Sequence, residues 1–169
     1  MNQWLAECLP ALGFSSSYSC QAASEDASFR SYHRVSFSDP NQSSLVVMDA
    51  PPEFEDCGPF IKVQELLEKA GVHVPKILAK NIEHGFLLLS DLGNTLFLDV
   101  LKQDNAAQFY GQATAHIHLM QKINSQGVLP AYDLTLLNNE MGLFSDWFVD
   151  QHLGYELDDE ERKTIEMVT

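Results

Sequence analysis

Apolar and polar positions change rhythm once along this chain, at Gly93. Ahead of that glycine, large apolar residues come mostly in short runs bounded by turn residues, set around one helical stretch. Behind it they recur at three and four, the spacing of amphipathic helices. The pivot is the stretch 84–93, where Phe86, Leu87, Leu88 and Leu89 run straight into Ser90-Asp91-Leu92-Gly93. A run so short and so closely bounded predicts a buried strand that ends at a junction of architectures, and ligands favour such junctions.

Upstream, Asn2 is expected to cap a short helix with Trp4, Leu5, Cys8 and Leu9 on one side, ended by Pro10 and Gly13. Strands are expected over 18–22, 29–37 and 44–49, with His33, Val35 and Phe37 alternating to one side of the second. Pro51-Pro52 stops the third. A helix should begin within 53–56 or just after Pro59, with Phe60, Val63, Leu66, Leu67 and Ala70 on one face and Gly71 as its stop. Further strands are expected over about 76–80 and 83–89. The fold class is therefore α+β, a five-stranded antiparallel sheet with one inserted helix, then a hinge and the start of a helical lobe. The domain division expected is 1–91 and 92–169.

Downstream, helices are expected over 95–102 and 105–123, the second with a core stripe of Ala106, Phe109, Tyr110, Ala113, Ile117 and Met120. Asp133 should cap a third, whose Leu137, Met141, Phe144 and Phe148 share a face. The acidic run 158–161 reads as a capping-box start of a last helix. Ile165, Met167 and Val168 then lack a partner, so the pattern predicts a truncated chain whose exposed helical face around Phe144, Trp147 and Phe148 drives self-association.

Composition narrows the function. An apolar fraction of 45% and a charged fraction of 20% are ordinary for a globular protein. The 24 acidic against 10 basic residues, a net charge of −14, argue against nucleic acid and against an anionic membrane as partners. The longest Leu/Ile/Val/Phe run, Phe86 to Leu89, is far too short for a membrane span, and no secretory signal is visible. Cys8, Cys20 and Cys57 are odd in number and have no C-x-x-C spacing. Free thiols in the cytoplasm are the expectation. His116 and His118 point to opposite sides of a helix and cannot share a metal ion. Glu53, Glu55 and Asp56 read as an acidic helix start rather than as a catalytic pair.

Several blocks together carry a resemblance: 26–32 (DASFRSY), 46–52 (VVMDAPP), 55–57 (EDC) and 85–93 (GFLLLSDLG). In this order and spacing they resemble the aminoglycoside phosphotransferase superfamily, which has a protein-kinase-like fold. Within it they look most like the bacterial anomeric kinases of N-acetylmuramate and N-acetylglucosamine in cell-wall recycling. The resemblance implies ATP-dependent phosphoryl transfer to a small-molecule hydroxyl, with an amino sugar as acceptor and ATP and Mg²⁺ as cofactors. It implies that the adenine sits against main chain of Ser90, Asp91 and Leu92, flanked by Leu89 and by Val47 or Met48. Asp91 also reads as a turn or helix-capping aspartate ahead of Gly93. The triphosphate would lie under the turn that holds Ser24, Ser28 and Phe29, with Arg30 as a phosphate partner. A solvent-facing strand residue is the other reading of Arg30.

The sequence departs from that family pattern in three places. The turn has no glycine. The strand 45–49 has no lysine for the α- and β-phosphates, Met48 or Asp49 standing in its region, and the glutamate that would pair with it (Glu65 or Glu55) cannot be placed. No H-x-D-x-x-x-x-N loop is present, so catalytic residues and metal ligands are expected outside these residues, and the chain alone is expected to be inactive. The departures leave open a non-catalytic nucleotide- or partner-binding module of kinase-like fold. Relatives acting on aminoglycosides, choline or fructosamine also stay open.

Overall fold

The computed structural model describes residues 1–25 and 28–168, apart from the side chains of Ser24, Glu25, Glu166 and Val168. Its order is α1 (Asn2–Ala11), β1 (Tyr18–Glu25), β2 (Ser31–Phe37), β3 (Leu45–Asp49), α2 (Cys57–Lys69), β4 (Ile77–Asn81), a 3-10 turn (Ile82–His84) and β5 (Phe86–Ser90). Then come α3 (Phe97–Val100), α4 (Ala106–Gln121), α5 (Leu134–Leu143), a π-helical segment (Phe144–His152) and α6 (Asp159–Val168). Two compact units result, Met1–Asn124 and Ser125–Thr169. Within the first unit, Arg34 of β2 bonds to both Asp91 and Gly93 and ties the hinge back to the sheet.

The sheet is five-stranded, in the order β1-β2-β3-β5-β4, and every pairing is antiparallel. β5 is thus a central strand, as its unbroken apolar run requires. Alternate residues of the pleat serve opposite faces. Leu88 packs with Val35, Leu45 and Val47 against Leu5 and Leu9 of α1, and Phe86 stacks on Trp4 at 5.6 Å. Leu87 and Leu89 face the other way, into a cluster with Met48, Ala50 and Cys57 that Phe60 and Ile61 of α2 cover. A helix on each face explains why the strand shows no polar alternation.

Local chemistry sets the element ends. Asp56 caps α2 by accepting from the N–H of Gly58 at 2.7 Å, so the helix starts between the two expected positions. Its buried residues are Cys57 and Gln64, while Val63 of the expected stripe is exposed. Asn2 is the first residue of α1 rather than its cap. The expected strand over 83–89 begins later, because Ile82–His84 forms the 3-10 turn, capped by the Asn81 side chain. Gly85 closes it at φ 74°, a conformation that favours glycine. A Cβ there would also run into the carbonyl oxygen of Ala50, so the approach of β3 to β5 depends on its absence.

α3 spans only Phe97–Val100. α4 forms close to its expected place, but its expected core stripe is not buried: Tyr110, Ile117 and Met120 are all exposed. In the second unit, Asp133 caps α5 by accepting from the Leu136 N–H at 2.9 Å. The carboxylate of Asp158 accepts from the N–H groups of Glu160 and Glu161, and Glu161 reaches back to the N–H of Asp158 at 3.0 Å. That reciprocal pair is the expected capping box. No helix among the described residues is long and apolar enough to cross a membrane.

Candidate nucleotide cleft

Where β5 leaves the sheet, the first unit holds a cleft of about 750 Å³, within the usual range for a small-molecule site. Its floor is β5 and the hinge, from Leu89 through Gly93. Val46, Tyr32 and Arg34 come from neighbouring strands, Ala22 and Ala23 from the end of β1, and Phe60, Pro75 and Leu96 complete the wall. A smaller apolar groove of about 350 Å³ adjoins it along α2 and shares Phe60 and Pro75.

Four of the expected residues, Leu89, Ser90, Asp91 and Leu92, meet in the cleft. Ser90 is already committed to the sheet: its N–H donates to the carbonyl of Lys76 at 2.9 Å, and its Oγ accepts from the Lys76 N–H at 2.9 Å. A hinge donor for a ligand must therefore come from Asp91 or Leu92. Leu92 is 54% exposed and, among the described residues, takes part in no hydrogen bond.

The Asp91 carboxylate has a separate task. It accepts from Arg34 Nε at 2.6 Å and Nη2 at 3.1 Å, from Ser44 Oγ at 2.7 Å, and from the Gly93 N–H at 2.8 Å. The Arg34 guanidinium lowers the carboxyl from its ordinary 3.8 to about 2, against the upward push of burial, with Ser44 and the Gly93 N–H helping. Of the alternatives read from sequence, the side chain takes the turn role. It fastens β2, the start of β3 and the hinge together. Arg34 and Ser44 carry no local motif that marks them, and Arg34 lies 57 residues from its partner.

The apolar flank also moves. Val47 is wholly buried under α1, on the sheet face away from the cleft, so it does not line the cleft. Met48 shares the cleft-side face with Val46 but is sealed beneath α2. Val46 takes the place on the cleft wall, opposite Leu89 in the β3–β5 register.

The expected phosphate group is only partly in view. Asp26 and Ala27 lie outside the described residues, as does the side chain of Ser24. Ser28 Oγ accepts from Arg30 N at 3.2 Å and from Arg30 Nε at 2.9 Å. Glu55 accepts from the Phe29 N–H at 3.1 Å and lies 4.0 Å from Arg30 Nε. Phe29 stacks on Phe54 at 4.8 Å. Arg30 lines the α2 groove, not the hinge cleft. Of the two candidate helix glutamates, Glu65 meets Lys80 at 3.8 Å at the surface.

The cleft offers an apolar face where Val46 and Leu89 lie side by side on β3 and β5, and hydrogen-bonding main chain at the hinge, a combination that suits a flat heteroaromatic base. No group of three or more His, Cys, Asp or Glu side chains that could hold a metal ion occurs among the described residues.

Residues 19–166 match the model of the phosphotransferase enzyme family. An N-acetylmuramate/N-acetylglucosamine kinase of Pseudomonas aeruginosa is 49% identical over 166 residues, 95% of this chain and 48% of that protein. A protein of the same name from Pseudomonas putida is 42% identical over 151 residues, 89% of this chain and 44% of its own length. One from Neisseria meningitidis serogroup B is 37% identical over 167 residues, 96% of this chain and 48% of its own. The chain spans about half the length of these curated relatives.

Proposed function

The chain belongs to the phosphotransferase enzyme family, and from that premise we propose that it is the nucleotide-binding part of an ATP-dependent amino-sugar phosphotransferase. Its α+β fold is protein-kinase-like, and its relatives are named as kinases of N-acetylmuramate and N-acetylglucosamine. The observation that carries the reading is the main chain of Leu92, without a hydrogen-bond partner among the described residues, beside the apolar sheet face that Val46 and Leu89 form side by side. A base would lie flat over that face and meet the hinge edge-on. The residues around Ser24, Ser28, Phe29 and Arg30 are proposed for the phosphate end, and Mg²⁺ would enter with the nucleotide.

Phosphoryl transfer needs a base for the acceptor hydroxyl and groups that hold the metal. No H-x-D-x-x-x-x-N loop occurs in these residues, and Met48 or Asp49 stands in the region of the third-strand lysine. The 169-residue chain alone is therefore expected to bind nucleotide without transferring phosphate. A third strand with no lysine also fits a non-catalytic nucleotide- or partner-binding module of kinase-like fold. The reading includes the cytoplasm as location and self-association through the exposed Phe144, Trp147 and Phe148.

Calorimetric titration of the chain with Mg-ATP tests the reading. Affinity should be weak, on the order of 0.1–1 mM, because a net charge of −14 repels a polyanion. Val46→Trp, which fills the space over that face, should abolish the heat. Absence of binding by the native chain at several millimolar ATP, or undiminished binding by the tryptophan variant, would overturn it.

A further inference from the structure

Resting on the nucleotide reading of the cleft, we propose that the Asp91–Arg34–Ser44 cluster is a positioning device that fixes the hinge main chain and thereby sets a preference for adenine over guanine. The carboxylate of Asp91 is 5% exposed and accepts four hydrogen bonds, two from one guanidinium. Arg34 Nη2 also donates to the carbonyl of Gly93 at 3.4 Å. The residues on either side of Leu92 are thus both fastened to the sheet, while Leu92 itself has no hydrogen-bond partner among the described residues. A segment held at both flanks and uncommitted in the middle keeps its N–H and C=O in fixed directions.

Fixed directions matter because the two purines present opposite edges. Adenine offers an amino donor beside a ring-nitrogen acceptor; guanine offers a carbonyl acceptor beside a ring N–H donor. A rigid donor–acceptor pair on the hinge matches the first and leaves the second with unpaired groups in a partly dry cleft, which is costly. A hinge free to rotate its peptide planes could suit either base. The commitment of the Ser90 N–H to Lys76 leaves fewer alternative donors at this edge and sharpens the choice. A phosphate role for Arg34 is disfavoured by the same geometry, since its Nε and Nη2 are already occupied.

If the cluster only held the fold together, its loss would lower stability and leave the ratio of ATP to GTP affinity unchanged. The test is to measure both affinities by calorimetry for the native chain, Asp91→Asn, Arg34→Lys and Ser44→Ala, with thermal midpoints for each. The native chain should favour ATP by about tenfold or more. Asp91→Asn should bring the ratio to within about twofold, Arg34→Lys should retain part of it, and Ser44→Ala, which keeps the ion pair, most of it. Equal native affinities, or a preference that survives in Asp91→Asn, would overturn the positioning role while leaving the nucleotide site standing. Native binding of neither nucleotide would overturn the site reading and this inference with it. Should Asp91→Asn fail to fold, an unchanged ratio in Arg34→Lys overturns the proposal and a reduced one supports it.

Discussion

Asp91 lines the cleft and at the same time fastens the fold with its side chain. The Arg34 bond holds the folded carboxyl at about 2, below its ordinary 3.8, so folding favours the charged form. The associated stability is fully present above the unfolded value and is lost as pH falls through the folded one. In denaturant titrations monitored by tryptophan fluorescence, the native chain should lose about 2 kcal/mol between pH 4 and pH 2 from this group. Asp91→Asn should lack that component; identical pH dependence in the two proteins would contradict the assignment. The role of Asp91 as a turn residue was readable beside Gly93, but its partners were not. Hydrogen bonds to Arg34 and Ser44 span 57 and 47 residues and leave no periodic trace.

At the scale of elements, β5 was legible because burial by α1 on one face and α2 on the other demands an uninterrupted apolar run. The same double burial hid which residue of β3 faces the cleft. With both faces apolar, Val46, Val47 and Met48 look alike, and only the register and the edge of α2 single out Val46. Capping chemistry was legible at Asp133 and Asp158 because it acts over three residues. Helical spacing in α4 was read correctly as helix and incorrectly as buried core, since periodicity reports a face and not its cover. In the second unit, Phe144, Trp147 and Phe148 of the π-helical segment are 52%, 66% and 48% exposed. Sedimentation at rising concentration should show reversible association, weakened in Trp147→Asp. A strictly monomeric native profile at high concentration would remove the self-association reading.

Taken as a whole, the molecule combines a sheet clasped between two helices, a hinge fastened to that sheet, and a cleft at their junction. Family membership was legible because three of its blocks mark local events, the end of β3 at Pro51-Pro52, the Asp56 cap of α2 and the Gly85 turn into β5. The central claim is that the hinge from Leu89 to Gly93 is where a nucleotide base docks. Amide and methyl chemical shifts of the isotope-labelled chain, followed during titration with Mg-ATP and then with adenosine, test it most directly. The account predicts that both ligands move the Asp91, Leu92 and Gly93 amides and the methyls of Val46 and Leu89, and that only ATP also moves signals around Ser28 to Arg30. Shifts confined to other parts of the chain, or none at millimolar ligand, would contradict it.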